Sequence, residues 1–157
     1  MILSALPKGA LVILKEAARH LLRRPVVGVA IAGRTAGGEW LLIRRADTGT
    51  WALPGGTLEW GEVLTDGMRR ELEEEAGVVD SKIVRLVGVY SRPDRDPRFH
   101  AVTVLVECEI SPPVKAPCNP LEILEARLFA VDDLPAELAM GMQDMLDAAR
   151  RGDTVVE

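Results

Sequence analysis

The feature that most constrains this chain is a glycine-rich stretch followed at once by a helical pattern dense in glutamates. Residues 53–61 contain one proline and three glycines, which predicts a loop. Residues 63–76 predict a helix that ends before Gly77, since glycine readily takes the left-handed conformation that terminates helices. Gly55 and Gly56 have no side chains, so the backbone of this loop can come close to a bound ion.

Two glutamates of the predicted helix, Glu74 and Glu75, follow Glu71 by three and four residues and so share one face with it. Their negative charges repel one another, and Arg70 can neutralise only part of that charge. A hard divalent cation such as Mg²⁺ binds carboxylate oxygens and keeps positions open for water and phosphate. The alternative is that the glutamate run is the solvated face of a surface helix. The flanking residues favour the metal-binding interpretation.

Those flanking residues resemble the Nudix box, Gly-x5-Glu-x7-Arg-Glu-U-x-Glu-Glu-x-Gly-U, in which U is a bulky aliphatic residue. The matching positions are Gly56, Glu62, Arg70, Glu71, Leu72, Glu74, Glu75, Gly77 and Val78. A match at all of these positions arises by chance in a chain of this length on the order of once in a million. The order of the predicted elements is also similar to that of a Nudix domain, so the resemblance extends over about residues 26–150.

The resemblance implies a Mg²⁺-dependent enzyme, with Mn²⁺ as the alternative ion, in which water attacks a phosphorus of a diphosphate. The metal ligands that it implies are Glu71, Glu74 and Glu75, with the Gly56 carbonyl as a further ligand and Glu62 at the edge of the cluster. Arg70 is implied to orient the glutamates through a bidentate contact. The general base is either a glutamate of the box or one from a later loop, where Glu122 and Glu125 are the candidates.

Residues 90–104 resemble a segment of Nudix enzymes that act on ADP-ribose and related nucleoside diphosphate sugars. Arg98 and His100 in this segment are predicted to contact substrate, whereas Arg92 and Arg95 are interpreted as solvated loop residues paired with nearby aspartates. One arginine at the end of the strand before the box is also expected to meet a phosphate, and Arg44 is preferred because it continues an apolar run.

The predicted activity is hydrolysis of nucleoside diphosphate sugars, either ADP-ribose-like or GDP-mannose-like, to a nucleoside monophosphate and a sugar phosphate. Two alternative substrate classes stay open: nucleoside triphosphates, including oxidised ones, and dinucleoside polyphosphates or RNA 5′ ends. A regulator that only binds nucleotides is disfavoured, because such Nudix domains usually lack some of the box glutamates, all of which are present here.

The order of elements predicts an α+β fold, specifically a Nudix-type α/β/α sandwich around a mixed β-sheet. Strands are predicted at residues 26–32, 40–44, 86–91, 101–110 and 127–131, and helices at residues 63–76 and 136–150. Residues 1–25 are predicted to form an amphipathic leader helix, and residues 26–157 the Nudix domain.

The composition limits the partners of the chain. A formal net charge of −5 disfavours broad attraction to nucleic acid, although a bound cation can reverse the field locally. The apolar stretch near the N-terminus is too short to cross a bilayer. Cys108 and Cys118 lack metal-site spacing and are interpreted as reduced thiols of a cytoplasmic protein. A homodimer that binds a small nucleotide is what the resemblance implies.

Overall fold

One mixed sheet organises the part of the chain that the computed structural model describes, which is residue 13 and residues 24–157. Along the chain the elements are β1 (Val26–Thr35), β2 (Trp40–Arg45), β3 (Trp51–Ala52), β4 (Gly55–Thr57), α1 (Leu64–Ala76), β5 (Ser81–Tyr90), β6 (Ala101–Ile110), β7 (Ile123–Phe129), α2 (Met142–Arg151) and β8 (Val155–Val156). Short 3-10 turns lie at Val131–Asp133 and Ala139–Gly141. The predicted leader helix falls outside the described residues.

The sheet combines parallel and antiparallel pairs. Its main path is β3-β2-β1-β6-β5-β8, with β4 added to β1 and β7 added to β2. Strands β1 and β6 are parallel over their full length, whereas β1 and β2 form the predicted antiparallel hairpin. Because β1 lies at the centre and β4 pairs with it, the glycine-rich stretch is fixed to the middle of the sheet.

The two helices cover opposite faces of this sheet, which confirms the predicted α/β/α sandwich. On one face α1 buries Met68, Leu72 and Ala76 against Val29, Ile31, Leu41 and Ile43. On the other face α2 buries Met145, Leu146 and Ala149 against Ala30, Ala32, Trp40 and Leu42. Alternate residues of β1 and β2 therefore face different helices. Each fully buried aliphatic side chain contributes about 1.5–3 kcal/mol to folding.

The boundaries of several elements differ from those predicted, for local reasons. Residues 55–57 form strand β4 within the predicted loop, and β8 was not predicted, because glycine and a two-residue run carry little strand signal. Strand β5 begins at Ser81 rather than at residue 86, since its first half is largely exposed and lacks an alternating apolar pattern. Strand β7 spans Ile123–Phe129 rather than residues 127–131.

The start of α2 differs most from the prediction. The helix was predicted from residue 136, but it begins at Met142. Met140 and Gly141 both have left-handed backbone angles, with φ of 55° and 64°, and this conformation cannot continue into a right-handed helix. By contrast α1 ends as predicted, with Gly77 at φ 65° and its N–H bonded to the Glu73 carbonyl.

Among the described residues, no helix is long and apolar enough to cross a membrane. Both cysteines are free thiols: Cys108 is buried in the sheet and Cys118 is exposed.

Candidate active site

Two adjacent glycines bring the sheet backbone against α1. Gly55 has φ of 152°, and a Cβ there would clash with the carbonyl oxygen of Val29 on the neighbouring strand. A Cβ at Gly56 would overlap the carboxylate of Glu71. The Gly55 N–H also donates a hydrogen bond of 2.8 Å to Oε2 of Glu75. The glycine pair thus makes room for two helix carboxylates directly beside the backbone of β4.

Arg70 joins the loop to the glutamate face. Its Nε and Nη2 donate to the two carboxylate oxygens of Glu62 at 2.9 and 3.0 Å, which is a bidentate contact. Its Nη1 donates to Glu71 at 2.9 Å and to Glu74 at 3.3 Å. The hydrogen bonds from Arg70, aided by its positive charge, hold the pKa of Glu62 at about 2, well below its usual range. One guanidinium therefore fixes three acidic side chains, as the pattern of the box suggested.

Burial separates Glu75 and Glu71 from the other acids of the helix. Glu75 is 7% exposed and Glu71 is 8% exposed, whereas Glu74 lies open to solvent. Loss of solvation raises the pKa of Glu75 to about 8, and the neighbouring charges of Glu71 and Glu122 add to this rise. Burial likewise raises the pKa of Glu71. Buried carboxylates whose charge is incompletely compensated are the feature that a cation would relieve.

The residues fit a hard divalent cation by their chemistry. Within residues 24–157 no three metal-binding side chains converge as a preformed cluster, and Glu62, Glu71 and Glu74 each accept a hydrogen bond from Arg70. The donors at this face are carboxylate and carbonyl oxygens, which are the ligands that Mg²⁺ and Mn²⁺ prefer. The predicted ligand set of Gly56, Glu62, Glu71, Glu74 and Glu75 stays a prediction.

A cleft of about 410 Å³ lies between this acidic face and two arginines, Arg45 and Arg98. Each arginine forms a fork with an aspartate two residues away: Arg45 with Asp47 at 3.0 and 2.8 Å, and Arg98 with Asp96 at 2.9 and 2.7 Å. In both forks Nη1 makes no hydrogen bond to the described part of the chain. The cleft therefore combines carboxylates for a cation with guanidinium groups that retain a donor for an anion.

Arg45 lines the cleft in the position for which Arg44 was preferred. Arg45 follows Leu41 and Ile43 on the α1 face of β2, because side chains alternate along a strand. Arg44 points to the opposite face and forms an ion pair of 2.9 Å with Glu125 on β7. The predicted Arg44 and Glu125 thus lie together outside the cleft, and Arg45 takes the place expected of Arg44.

Of the remaining predicted residues, Glu122 lines the cleft and His100 does not. Glu122 lines the cleft beside Glu71 and Glu75, so it is the better placed of the two later glutamates. His100 does not line the cleft, and its Nε2 lies 2.8 Å from the Ser91 carbonyl oxygen. Since Ser91 and His100 flank the loop of residues 92–99, this contact closes the base of the loop.

An apolar wall of the cleft escaped prediction. It is formed by Phe99, Met140 and Met142, and Phe99 lies under the guanidinium of Arg98 at 5.1 Å from the ring centroid. Met140 lies in the turn before α2 and Met142 is the first residue of that helix, both about forty residues from Arg98, so local sequence carried no signal for them. A wider depression of about 590 Å³ lies near the β1–β2 turn, but the glutamate face of α1 does not reach it.

Comparison with known proteins agrees with this geometry. The family model of the NUDIX domain matches residues 22–149. An ADP-ribose pyrophosphatase of Methanocaldococcus jannaschii is 39% identical over 99 residues, which cover 60% of this chain and 56% of that protein. The chain spans about half the length of the curated relatives it matches.

Two solved structures are similar over most of the chain. A MutT NUDIX hydrolase from Burkholderia pseudomallei has a TM-score of 0.68 at 29% identity, covering 80% of this chain and 98% of that one. The NUDIX domain of Shewanella oneidensis NrtR, complexed with ADP ribose, has a TM-score of 0.69 at 20% identity, covering 94% of this chain and 99% of that one. The latter shows similarity of fold alone. The family model matches residues 22–149, and the Gly55–Gly56 pair and the glutamate face of α1 agree with it, so this chain belongs to the Nudix hydrolase family.

Proposed function

We propose that this chain hydrolyses the diphosphate of nucleoside diphosphate sugars, such as ADP-ribose or GDP-mannose, with Mg²⁺ as its cofactor. The observation that carries the proposal is the pairing, within one cleft, of the buried glutamates of α1 with the guanidinium groups of Arg45 and Arg98. Nudix hydrolases generally use divalent metal ions. The relative from Methanocaldococcus jannaschii, an ADP-ribose pyrophosphatase, supports the choice of substrate class.

In this proposal the box residues hold the cation. Glu71, Glu74, Glu75 and the Gly56 carbonyl are the ligands, and Glu62 lies at the edge of the site. A bound divalent cation neutralises charge on the diphosphate and lowers the pKa of the attacking water. Arg70 keeps Glu62 and Glu71 in place through the hydrogen bonds described above. Mn²⁺ shares the ligand preference and is the alternative ion.

The opposite wall binds the substrate. Arg45 and Arg98 each donate their remaining Nη1 hydrogens to phosphate oxygens, and their aspartate partners keep the guanidinium planes fixed. Phe99 and Met140 offer an apolar surface to the base or the sugar. The two guanidinium groups match in number the two phosphates of the proposed diphosphate substrate.

Glu122 is the general base of this proposal. It lines the cleft beside the metal-binding face, and its carboxylate accepts a proton from the attacking water. The matched pair Glu122→Gln and Glu125→Gln tests this role, because Glu125 is paired with Arg44 outside the cleft. We expect kcat to fall by about 100-fold or more in Glu122→Gln only. Equal rates in the two variants would assign the base to a glutamate of the box instead.

A substrate panel tests the proposed activity. ADP-ribose, GDP-mannose, UDP-glucose, nucleoside triphosphates including an oxidised one, and a diadenosine polyphosphate are incubated with the protein and Mg²⁺. Phosphate is then measured after coupling to a phosphatase. We expect the largest kcat/KM with a diphosphate sugar. A higher kcat/KM with triphosphates or the diadenosine compound would reject the proposed substrate class.

The homodimer and the cytoplasmic location stay predictions. Light scattering on the purified protein measures the first, and fractionation of the source cells measures the second. The acidic charge of the chain leads us to expect no stable complex with nucleic acid.

A further inference from the structure

Arg95 lies in the loop between β5 and β6, but it is not the solvated loop residue that the sequence suggested. Its side chain is only 9% exposed. The guanidinium stacks over the buried ring of Tyr90, at 4.8 Å from the ring centroid. An arginine with so little exposure must satisfy its hydrogen-bond donors within the protein.

All five N–H donors of Arg95 are used. Nε and Nη2 donate to the two carboxylate oxygens of Glu157 at 2.8 and 2.7 Å. Nη1 and Nη2 donate to the two oxygens of Asp144 at 3.0 and 2.6 Å, and Nη1 also donates to the Gly141 carbonyl at 3.0 Å. Because a guanidinium has five N–H groups, none is left for a phosphate. Arg95 therefore cannot act as a further substrate-binding arginine without giving up a protein contact.

The partners of Arg95 hold the segments that carry two walls of the cleft. Gly141 and Asp144 fix the turn in which Met140 adopts a left-handed conformation and lines the cleft. On the other side, Glu157 accepts hydrogen bonds of 3.2 Å from the backbone N–H groups of Ser91 and Arg92, at the start of the loop that carries Arg98. The two walls meet where Nη2 of Arg98 lies 3.7 Å from the Met140 sulfur.

We propose that Arg95 is a positioning residue, which sets the distance between the Arg98 loop and the Met140 turn and so fixes the shape of the substrate cleft. This inference rests on the proposed function, in which both walls contact the nucleotide sugar. Loss of Arg95 frees the loop and the turn from each other while leaving the glutamates of α1 untouched. The expected consequence is weaker binding of substrate with little change in the chemical step.

Arg85 provides a matched control for this role. Its Nε pairs with Glu107 at 2.7 Å, and its other nitrogens donate to the carbonyls of Asp153 and Ala149 at 2.7 and 3.2 Å. Like Arg95 it makes several hydrogen bonds to the region of α2, but it lies on β5, acts at the far end of the helix and does not line the cleft. If the effect of losing Arg95 were only a general loss of stability, replacing Arg85 should have the same effect on KM.

The experiment compares Arg95→Met and Arg95→Lys with Arg85→Met, using hydrogen exchange and steady-state kinetics on the full chain. In both Arg95 variants we expect exchange in residues 92–99 and 139–142 to rise by about 10-fold or more. We expect KM for the preferred diphosphate sugar to rise by about 10-fold with kcat within about 3-fold of the wild type. The lysine variant keeps the charge but not the planar fork, so it should restore little.

Two results would overturn the proposal: unchanged exchange in both segments, or an equal rise of KM in Arg85→Met. If the wild type hydrolyses no diphosphate compound, the proposed function fails and hydrogen exchange alone decides. In that case, faster exchange of both segments in the Arg95 variants but not in Arg85→Met still supports the positioning role.

Discussion

Replacing Glu75 with glutamine should make the metal-free protein more stable. Glu75 is almost fully buried, and its carboxylate is held by a hydrogen bond from the Gly55 N–H. Glutamine has nearly the same shape, and its carbonyl oxygen can accept the same hydrogen bond. The substitution therefore removes the ionisable carboxyl while it preserves the packing, so the cost of keeping Glu75 protonated, or of ionising it, can be measured directly.

The size of the effect follows from the pKa of Glu75. Burial raises this pKa from 4.5 to about 8, so the folded protein binds a proton that the unfolded chain has already released. Stability of the wild type is complete below pH 4.5 and falls by about 1.4 kcal/mol per pH unit until pH 8. The glutamine variant escapes this loss, which is on the order of 3 kcal/mol at pH 7. For a domain of this size that difference corresponds to about 6–12 °C in Tm.

Thermal unfolding of the two proteins in a chelator, at several pH values, tests this reasoning. The Tm difference should be close to zero near pH 4 and should grow steadily up to pH 8. Addition of Mg²⁺ at about 100 times its Kd should stabilise the wild type by about 2.7 kcal/mol and the variant by less. Parallel Tm profiles for the two proteins in the chelator would refute the argument that burial raises the pKa of Glu75.

Three further predictions concern the cleft wall, the acid stability and the core. Arg45→Ala should lower kcat/KM by about 10-fold through loss of a phosphate contact, whereas Arg44→Ala on the opposite face of β2 should leave it unchanged in the same assay. Glu157→Gln should destabilise the protein above pH 4.5, and this difference should vanish as the pH falls towards 2, because Arg95 holds the pKa of Glu157 at about 2. Urea unfolding across that pH range measures the difference in stability, and a difference that persists at pH 2 would contradict the prediction. Leu146→Ala, on the buried face of α2, should lower the free energy of unfolding by about 2–5 kcal/mol, as measured by urea unfolding. A loss below about 1 kcal/mol would contradict the tight packing.

The sequence predicted the box because its signals are local. Helical spacing placed Glu71, Glu74 and Glu75 on one face, and Gly77 ended the helix as expected. The apolar runs in β1, β2 and β6 likewise identified the central strands. These features depend on residues close together in the chain, so they can be read before the fold is known.

The parts that could not be predicted depend on distant contacts. Arg95 looked like a solvated loop residue because its partners Asp144 and Glu157 lie 49 and 62 residues away. The choice between Arg44 and Arg45 required knowledge of which helix covers which face of β2. The apolar wall at Met140 depends on a left-handed turn at residues 140 and 141. Gly141 was the only residue type there that favours this conformation, so the turn could not be predicted.

The most direct test of the central claim compares two glutamates of α1 that are two residues apart. Glu75 is buried in the candidate site, whereas Glu73 is exposed and pairs with Lys115 at 2.6 Å outside it. Turnover of ADP-ribose, or of the best substrate in the panel, is measured for the wild type, Glu73→Gln and Glu75→Gln with Mg²⁺ and with a chelator. We expect Glu73→Gln to match the wild type, Glu75→Gln to lose at least about 100-fold in kcat, and the chelator to abolish turnover. Turnover that survives the chelator, or equal rates in the two variants, would contradict a metal-dependent hydrolase built on the glutamate face of α1.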